Sequence, residues 1–333
     1  MYFRTCSLWR STPTPNCINF VDVPEFSFAP RFTSSQMLHE TRTSEALLKL
    51  PSPSKSHYIL PADDSEIKRL NLQNRFLTRE VCGGKLIYAP AMLQHGDKVL
   101  ESGTGTGIWL VSLAGEVPPT ISFTGIDIQT RLFPRDPDLP SNISFFQHSI
   151  TNLPVEWTER FKFVNQRLLV GGLTSKEWEK ALQETYRVLT PGGWFQCLEP
   201  NIPSNTDIGP YTERMFEILR NLLSVNGLLH DIVPVLCRTL PKTGFINVQK
   251  HTVSLSAHKR PTGTEFNHRT LMEWFFIALK PGMLATKLVE SEEEFEELMR
   301  SMLKEWDESP EVAWSWSVIF AQKREQEHIP ICA

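Results

Sequence analysis

No run of apolar residues in this 333-residue chain approaches the roughly 18 that a membrane span requires, so nothing in it is expected to cross a bilayer. Its six cysteines (Cys6, Cys17, Cys82, Cys197, Cys237, Cys332) form no C-x-x-C pair and do not cluster with histidine. That argues against a metal site and against a disulfide scaffold, and it fits a reducing compartment. Charge of either sign is in short excess: 34 Lys and Arg stand against 38 Asp and Glu, a formal −4. Nucleic acid and anionic membranes therefore have no general electrostatic claim on the chain, and small molecules or proteins remain as partners. No internal repeat is visible. What the chain has in quantity is apolar residues, 41% of the total, ample for a buried core.

The opening MYFRTCSLWRSTPTPNC carries Arg4 and Arg10, has no acid before Asp22 and is rich in Ser and Thr. Organelle transit peptides share that composition, but without an apolar core it is no secretory signal. The simpler reading is a disordered tail on a cytoplasmic protein, in which the sequon Asn142-Ile143-Ser144 is accidental. Residues 1–56 are read as an N-terminal extension, with LPSPSKS at 50–56 as a loop or linker.

Order is expected from Tyr58 onward. In PADDSEIKRLNLQNRFLTREVCGG, an acid precedes Glu66 by one helical turn and apolar residues recur at Ile67, Leu70, Leu77 and Val81, with Gly83 and Gly84 as the stop, so a helix is predicted. From residue 97, the apolar strands DKVLES, ISFTGIDI, NISFFQHSI, RFKFVNQ and GWFQCLE are interleaved with the helices IWLVSLAGEV and SKEWEKALQETYRVL. Such alternation means a parallel sheet covered on both faces. Beyond it the pattern changes to helices in PYTERMFEILRNLLSV, LHDIVPVLCRTL, TLMEWFFIAL and SEEEFEELMRSMLKEW, with strands in FINVQKHTVSLSA and VAWSWSVIFAQK. The acids at 292–297 suit the first turn of a helix and read as a solvated face.

The stretch VLESGTGTGIW joins the first strand to its helix. Gly103, Gly105 and Gly107 are spaced G-x-G-x-G, whereas a dinucleotide fingerprint needs G-x-G-x-x-G. Glu101, two residues before the first glycine, repels a pyrophosphate but accepts hydrogen bonds from an ammonium group. Asp127, at the end of the second strand, is placed to accept both hydroxyls of a ribose. Together these favour a ligand with an amino acid end, a ribose and no phosphate, which is S-adenosyl-L-methionine. The competing reading is that the glycines make a tight turn and hold nothing.

Residues 58 to about 324 resemble the class I S-adenosylmethionine-dependent methyltransferases, and within them the fungal family of secondary-metabolism methyltransferases that also includes a global regulator. The resemblance is carried by YILPADDSEIKRLNLQNRFLTREVCGGKLIYAP, KVLESGTGTGIW, FTGIDI and YRVLTPGGWFQCLE. It implies an α/β, Rossmann-like fold: a seven-stranded, mostly parallel sheet with an antiparallel last strand, plus a helical cap. It further implies one methyltransferase domain over 57–333, with a lid at 57–90 and a substrate cap at 201–310. The cofactor set it implies is Tyr58, Glu101, Gly103, Thr104, Gly105, Gly107, Asp127, Ile128, His148, Ser149 and Arg167. Two stretches depart from the family pattern. His148 and Ser149 replace an acid pair that accepts from the adenine amino group, and FKFVNQR carries Lys162 and Asn165 in place of an acid and a histidine while keeping Arg167.

Methyl transfer is an in-line displacement that depends on positioning the nucleophile. A neutral amine needs no general base, whereas a hydroxyl or an amide does. Candidate bases are Glu199, at the carboxyl end of the fifth strand, and His230, expected on a helix of the insert. The insert's Phe, Leu, Met and Trp suggest an apolar or aromatic small-molecule acceptor, N- or O-methylated in a biosynthetic pathway. The alternative function is a methyltransferase-like regulator that works through protein partners.

Overall fold

The computed structural model describes residues 64–135, 139–203, 206–258 and 266–325. Tyr58 and the N-terminal extension lie outside them. The described elements are, in chain order, α1 (Asp64–Glu80), β1 (Lys98–Ser102), α2 (Ile108–Ala114), β2 (Ser122–Asp127), β3 (Ile143–Gln147), β4 (Phe161–Arg167), α3 (Ser175–Val188), β5 (Leu189–Asn201), α4 (Pro210–Val225), α5 (Ile232–Thr243), β6 (Phe245–Ser256), α6 (His268–Ala285), α7 (Glu292–Glu308) and β7 (Ala313–Lys323).

The seven strands form one sheet in the order β3-β2-β1-β4-β5-β7-β6. β1 to β5 pair in parallel, and β7 runs antiparallel to both β5 and β6. The chain leaves β1 toward β2 and β3, then returns to β4 on the other side. Ligands of open α/β sheets bind at such a reversal, outside the carboxyl ends of the strands.

Each face of the sheet has its own apolar core. Trp178, Leu182, Leu236 and Leu240 from α3 and α5 cover one face, packing on Leu100, Val164, Phe195 and Ile319. Trp109 and Leu113 of α2, Phe76 and Leu77 of α1, and the helices α4, α6 and α7 share the core of the other. The stretch 201–310 therefore divides. Its α4, α6 and α7 pack on one another, whereas α5 and β6 belong to the sheet and its opposite cover.

Local chemistry explains several boundaries. Thr174 caps α3 reciprocally with Glu177, its hydroxyl accepting from the Glu177 amide and Glu177 from the Thr174 amide. β5 begins earlier than GWFQCLE: Leu189 pairs with Phe161 and Trp194 with Phe163, so Thr190–Gly193 bulge out between them. The Leu-Thr-Pro-Gly-Gly turn is thus built into the strand. α1 differs in its buried face. Leu77 and Val81 are buried as expected, but Ile67 and Leu70 are only half-buried, and Glu66, Arg69 and Gln73 take interior places. They can do so because Arg69 donates from Nε and Nη2 to the two Glu66 oxygens at 2.6 and 2.7 Å, and from Nη1 to Gln73 at 3.2 Å.

Before β1, residues 86–89 are held chiefly by the side chain of Gln196, while Trp109 Nε1 also donates to Leu86 O at 3.2 Å. Gln196 of β5 accepts from the Tyr88 and Ala89 amides at 2.6 and 3.0 Å, and donates to Leu86 O at 3.1 Å and Asn165 Oδ1 at 3.2 Å. Replacing Gln196 by Met strands two buried amides and is expected to cost roughly 2–5 kcal/mol in urea unfolding. Thr174→Ala, which removes a cap, is expected to cost only about 1 kcal/mol. A smaller loss for Gln196→Met than for Thr174→Ala would show that this segment is held by packing instead.

Candidate active site

The glycine turn sits at the strand-order reversal. Gly103, Gly105 and Gly107 have φ of 66°, 50° and 69°, the left-handed region, so the backbone alone demands glycine at all three. Their surroundings differ. A β-carbon on Gly103 would meet Leu169 Cδ2 at 2.5 Å, and one on Gly107 would meet the Phe145 ring at 2.6 Å. At Gly105 the nearest atom is Leu70 Cδ1 of α1, at 3.6 Å, so only the middle of the turn has room above it.

Asp127, the last residue of β2, closes the turn. Its Oδ2 accepts from the Gly105 amide and its Oδ1 from the Gln129 amide, both at 2.9 Å, with the Ile128 amide also turned toward the carboxylate, which keeps capacity for a further donor. Burial raises its pKa from the ordinary value, against the pull of those amides. The Thr104 amide donates to Ile126 O at 2.9 Å, tying the turn to β2, and the His148 amide donates to Asp127 O at 3.2 Å. The next residue, Ile128, is exposed. Asp127, Ile128 and His148 are thus brought together on one rim. The His148 ring stands edge-on to Trp157 at 5.4 Å, while exposed Ser149 shares a hydrogen bond with Thr151 Oγ1 at 2.9 Å.

Beneath the turn lie two ionisable side chains. Glu101 is buried and accepts from the Thr104 hydroxyl at 2.6 Å; burial pushes its pKa up to about 8, against that hydrogen bond and the nearby Arg167 guanidinium. Arg167, at the end of β4, donates from Nη1 to Asn74 Oδ1 at 3.0 Å and Thr78 Oγ1 at 2.8 Å, and lies over the Trp109 ring at 5.9 Å. Thr106 Oγ1 adds a hydrogen bond to Asn71 Oδ1 at 2.7 Å. Helix α1 therefore sits on the turn through Asn71, Asn74 and Thr78, none of them singled out from the sequence. Their spacing of three and then four residues puts them on one helix face, a signal that a search for apolar stripes passes over.

The two candidate bases stand elsewhere in this arrangement. Glu199 is fully buried, and its oxygens accept from the Leu169 and Val170 amides at 2.9 and 3.2 Å. It braces the loop after β4, whose Leu169 covers Gly103, and burial raises its pKa to about 8. His230 is not on a helix. It lies in the loop between α4 and α5, and lines a groove with Arg220, Asn221, Ser224, Leu228, Leu229 and Asp231, apart from the glycine turn's own residues.

Residues 99–193, from β1 through the bulge of β5, match the family model of a methyltransferase domain. Among curated proteins, the chain is 26% identical over 220 residues to the N-methyltransferase verN of Clonostachys rogersoniana, covering 65% of this chain and 75% of that one. It is 37% identical over 147 residues to the N-methyltransferase sirN of Leptosphaeria maculans, covering 44% of this chain and 50% of that one. The chain thus spans about half the length of some of these relatives. Among solved structures, Haemonchus contortus phosphoethanolamine N-methyltransferase 2 in complex with S-adenosyl-L-methionine matches at 14% identity and a TM-score of 0.45, covering 78% of this chain and 52% of that one. The chain is thus similar to methyltransferases through its sheet and glycine turn, and to fungal N-methyltransferases over a longer stretch.

Gly107→Ala, which adds a clash with Phe145 to an unfavourable φ, is expected to destabilise by roughly 2–4 kcal/mol, and Gly105→Ala by only about 1 kcal/mol. Adding Phe145→Leu should recover part of the first loss and none of the second; equal losses in urea titrations would refute the packing account.

Glu101 provides a pH test. Its folded pKa of about 8 lies above the ordinary 4.5, so the folded chain binds this proton more tightly than the unfolded one. Burying it therefore costs more and more as pH rises through that window. Glu101→Gln, which has no proton to lose, should gain stability relative to the parent between about pH 5 and about pH 8. A gap that stays flat, or closes in the opposite direction, would mean that Glu101 is an ordinary ionised acid.

Proposed function

We propose that this chain transfers a methyl group from S-adenosyl-L-methionine to a nitrogen atom of a small-molecule secondary metabolite. The observation that carries this reading is Asp127. It is fastened to the middle of the glycine turn, and its carboxylate keeps acceptor capacity beyond the backbone amides it meets. A vicinal diol is the ligand group that matches two neighbouring acceptors. The groups around the turn fit the rest of the cofactor: Gly105 is the least crowded of the three glycines, Glu101 offers an acceptor to an ammonium group, and Arg167 has buried donors without partners among the described residues. Ile128 would pack on the base, with His148 and Ser149 at its edge. Thr104 keeps Glu101 aimed, and Gly103 and Gly107 hold the turn in its shape.

When bound, the sulfonium supplies an electrophilic methyl group. This chain's part is to fix the acceptor in line with it and to keep water away. Helix α1 serves the second task through Asn71, Asn74 and Thr78. A neutral amine as acceptor agrees with the state of Glu199, whose oxygens are engaged by two amides, because such a nucleophile needs no proton acceptor in the displacement. The names of verN and sirN, both N-methyltransferases, support the same choice of atom. The buried aromatic cluster of Phe216, Phe276, Trp306 and Trp314 joins α4, α6, α7 and β7 into one packed unit, and an apolar or aromatic acceptor is read from the apolar composition of that insert. The unpaired thiols of Cys82, Cys197 and Cys237 support a cytoplasmic setting.

Asp127→Ala is expected to cost roughly 2–4 kcal/mol of affinity for S-adenosylhomocysteine by calorimetry, through loss of charge-assisted bonds to the ribose. Glu292→Ala, which breaks only a surface ion pair with Lys280, should leave binding unchanged. Equal effects would reduce Asp127 to a structural role. Transfer of labelled methyl groups into a fungal metabolite extract, with mass spectrometry locating the label on nitrogen, tests the reaction itself. Cofactor binding with no methyl acceptor in such an extract would favour the regulator reading.

A further inference from the structure

Arg167 has more donors than partners. The register that sets Glu101 opposite Asn165 and Ser102 opposite Gln166 brings Arg167 level with Gly103 at the carboxyl edge of the sheet. Parallel strands in register point paired residues to the same face, so Arg167, Asn165 and Glu101 share the face that α1 covers. Its Nη1 is fully used, donating to Asn74 and Thr78 of α1. Its Nε and Nη2 are buried and have no partner among the described residues.

Those two nitrogens are the pair on one edge of the guanidinium plane. Their N–H bonds run side by side, the fork that receives the two oxygens of a carboxylate. A buried cation with idle donors is costly, so a vacant fork of this kind is a binding feature. The nearest acid does not fill it. Glu101 spends an oxygen on Thr104, and its proton is retained to about pH 8, so near neutrality it offers the fork no full negative charge.

We propose that Arg167 receives the carboxylate of the cofactor's amino acid end on its Nε and Nη2 edge while its Nη1 keeps α1 in place. The proposal rests on the reading of the site as one for S-adenosyl-L-methionine. One side chain then joins the ligand to the helix above it, and the helix is held most firmly over a ligand that carries the carboxylate. Glu101, on the same face, is left for the ammonium group of that ligand. The amino acid end is thus read by two side chains from neighbouring strands, a guanidinium for the carboxylate and a hydrogen-bond acceptor for the ammonium group.

Three ligands separate the parts of this claim in calorimetry on the full chain: S-adenosylmethionine, its decarboxylated analogue, which keeps the ammonium group, and 5′-methylthioadenosine, which keeps only the nucleoside and the thioether. The parent protein should bind S-adenosylmethionine roughly 30-fold or more tighter than the decarboxylated analogue. Arg167→Gln should abolish that preference while changing affinity for the other two ligands by less than about threefold. Arg167→Lys, which keeps the charge without the fork, should retain only part of it. Thr78→Ala should loosen α1, seen as faster amide exchange over residues 64–80, yet leave the carboxylate preference intact. If Arg167→Gln weakens all three ligands alike, Arg167 only holds the helix and the proposal fails. If the parent shows no preference, the fork does not bind the carboxylate. If 5′-methylthioadenosine fails to bind the parent while S-adenosylmethionine binds, the nucleoside reading of Asp127 falls and Arg167 stands; if neither binds, the cofactor reading itself is wrong.

Discussion

Loops that crowd the carboxyl edge of a sheet lose water from their backbone amides, and each stranded N–H costs as much as a lost hydrogen bond. This chain meets that constraint with carboxylates brought in from distant elements. Asp127 takes the amides of Gly105 and Gln129, and Glu199 those of Leu169 and Val170. Glu305 of α7 takes those of Tyr211 and Thr212 at the start of α4, and Glu184 of α3 takes that of Leu153. The glycine turn, the loop after β4, the first turn of α4 and the loop after β3 are each fixed in this way. The first two border the site itself. Remove the acceptors and the sheet would keep its order, but its upper edge would lose its shape.

This use of acids explains where the sequence is a good guide and where it misleads. The sheet and its helices are legible because strands buried on both faces read as apolar runs, and because signals such as Thr174 with Glu177 lie within a few residues of one another. That a turn of alternating glycines follows β1, and that Asp127 ends β2, is legible for the same reason. Glu199 is not. An acid at a strand's carboxyl end looks like a catalyst in one dimension, and only the fold brings it to Leu169 and Val170. His230 misleads differently: LHDIVPVLCRTL reads as one helix, but α5 starts at Ile232 and leaves the histidine in the preceding loop.

The glycines also change meaning. All three positions require positive φ, and two are closed by Leu169 and Phe145. The turn alone justifies them. What speaks for a ligand is polar capacity left unused, on Asp127 and on Arg167. Asn165 fits the same logic. It stands between Glu101 and Gln196 on one face, where the family resemblance leads one to look for histidine. A neutral amide can accept from Gln196 without adding a second titrating group to a buried row that already holds one acid.

The position of β7 bears on how the chain is made. It is the last of the described strands to leave a ribosome, yet its place is inside the sheet, between β5 and β6. Until it emerges, β6 has no sheet neighbour and one edge of β5 stays open. Synthesis therefore passes through a stage in which the strands already made display adhesive edges that β7 will later cover. Chaperone engagement, or simple speed over the closing stretch, is what stands between that stage and aggregation.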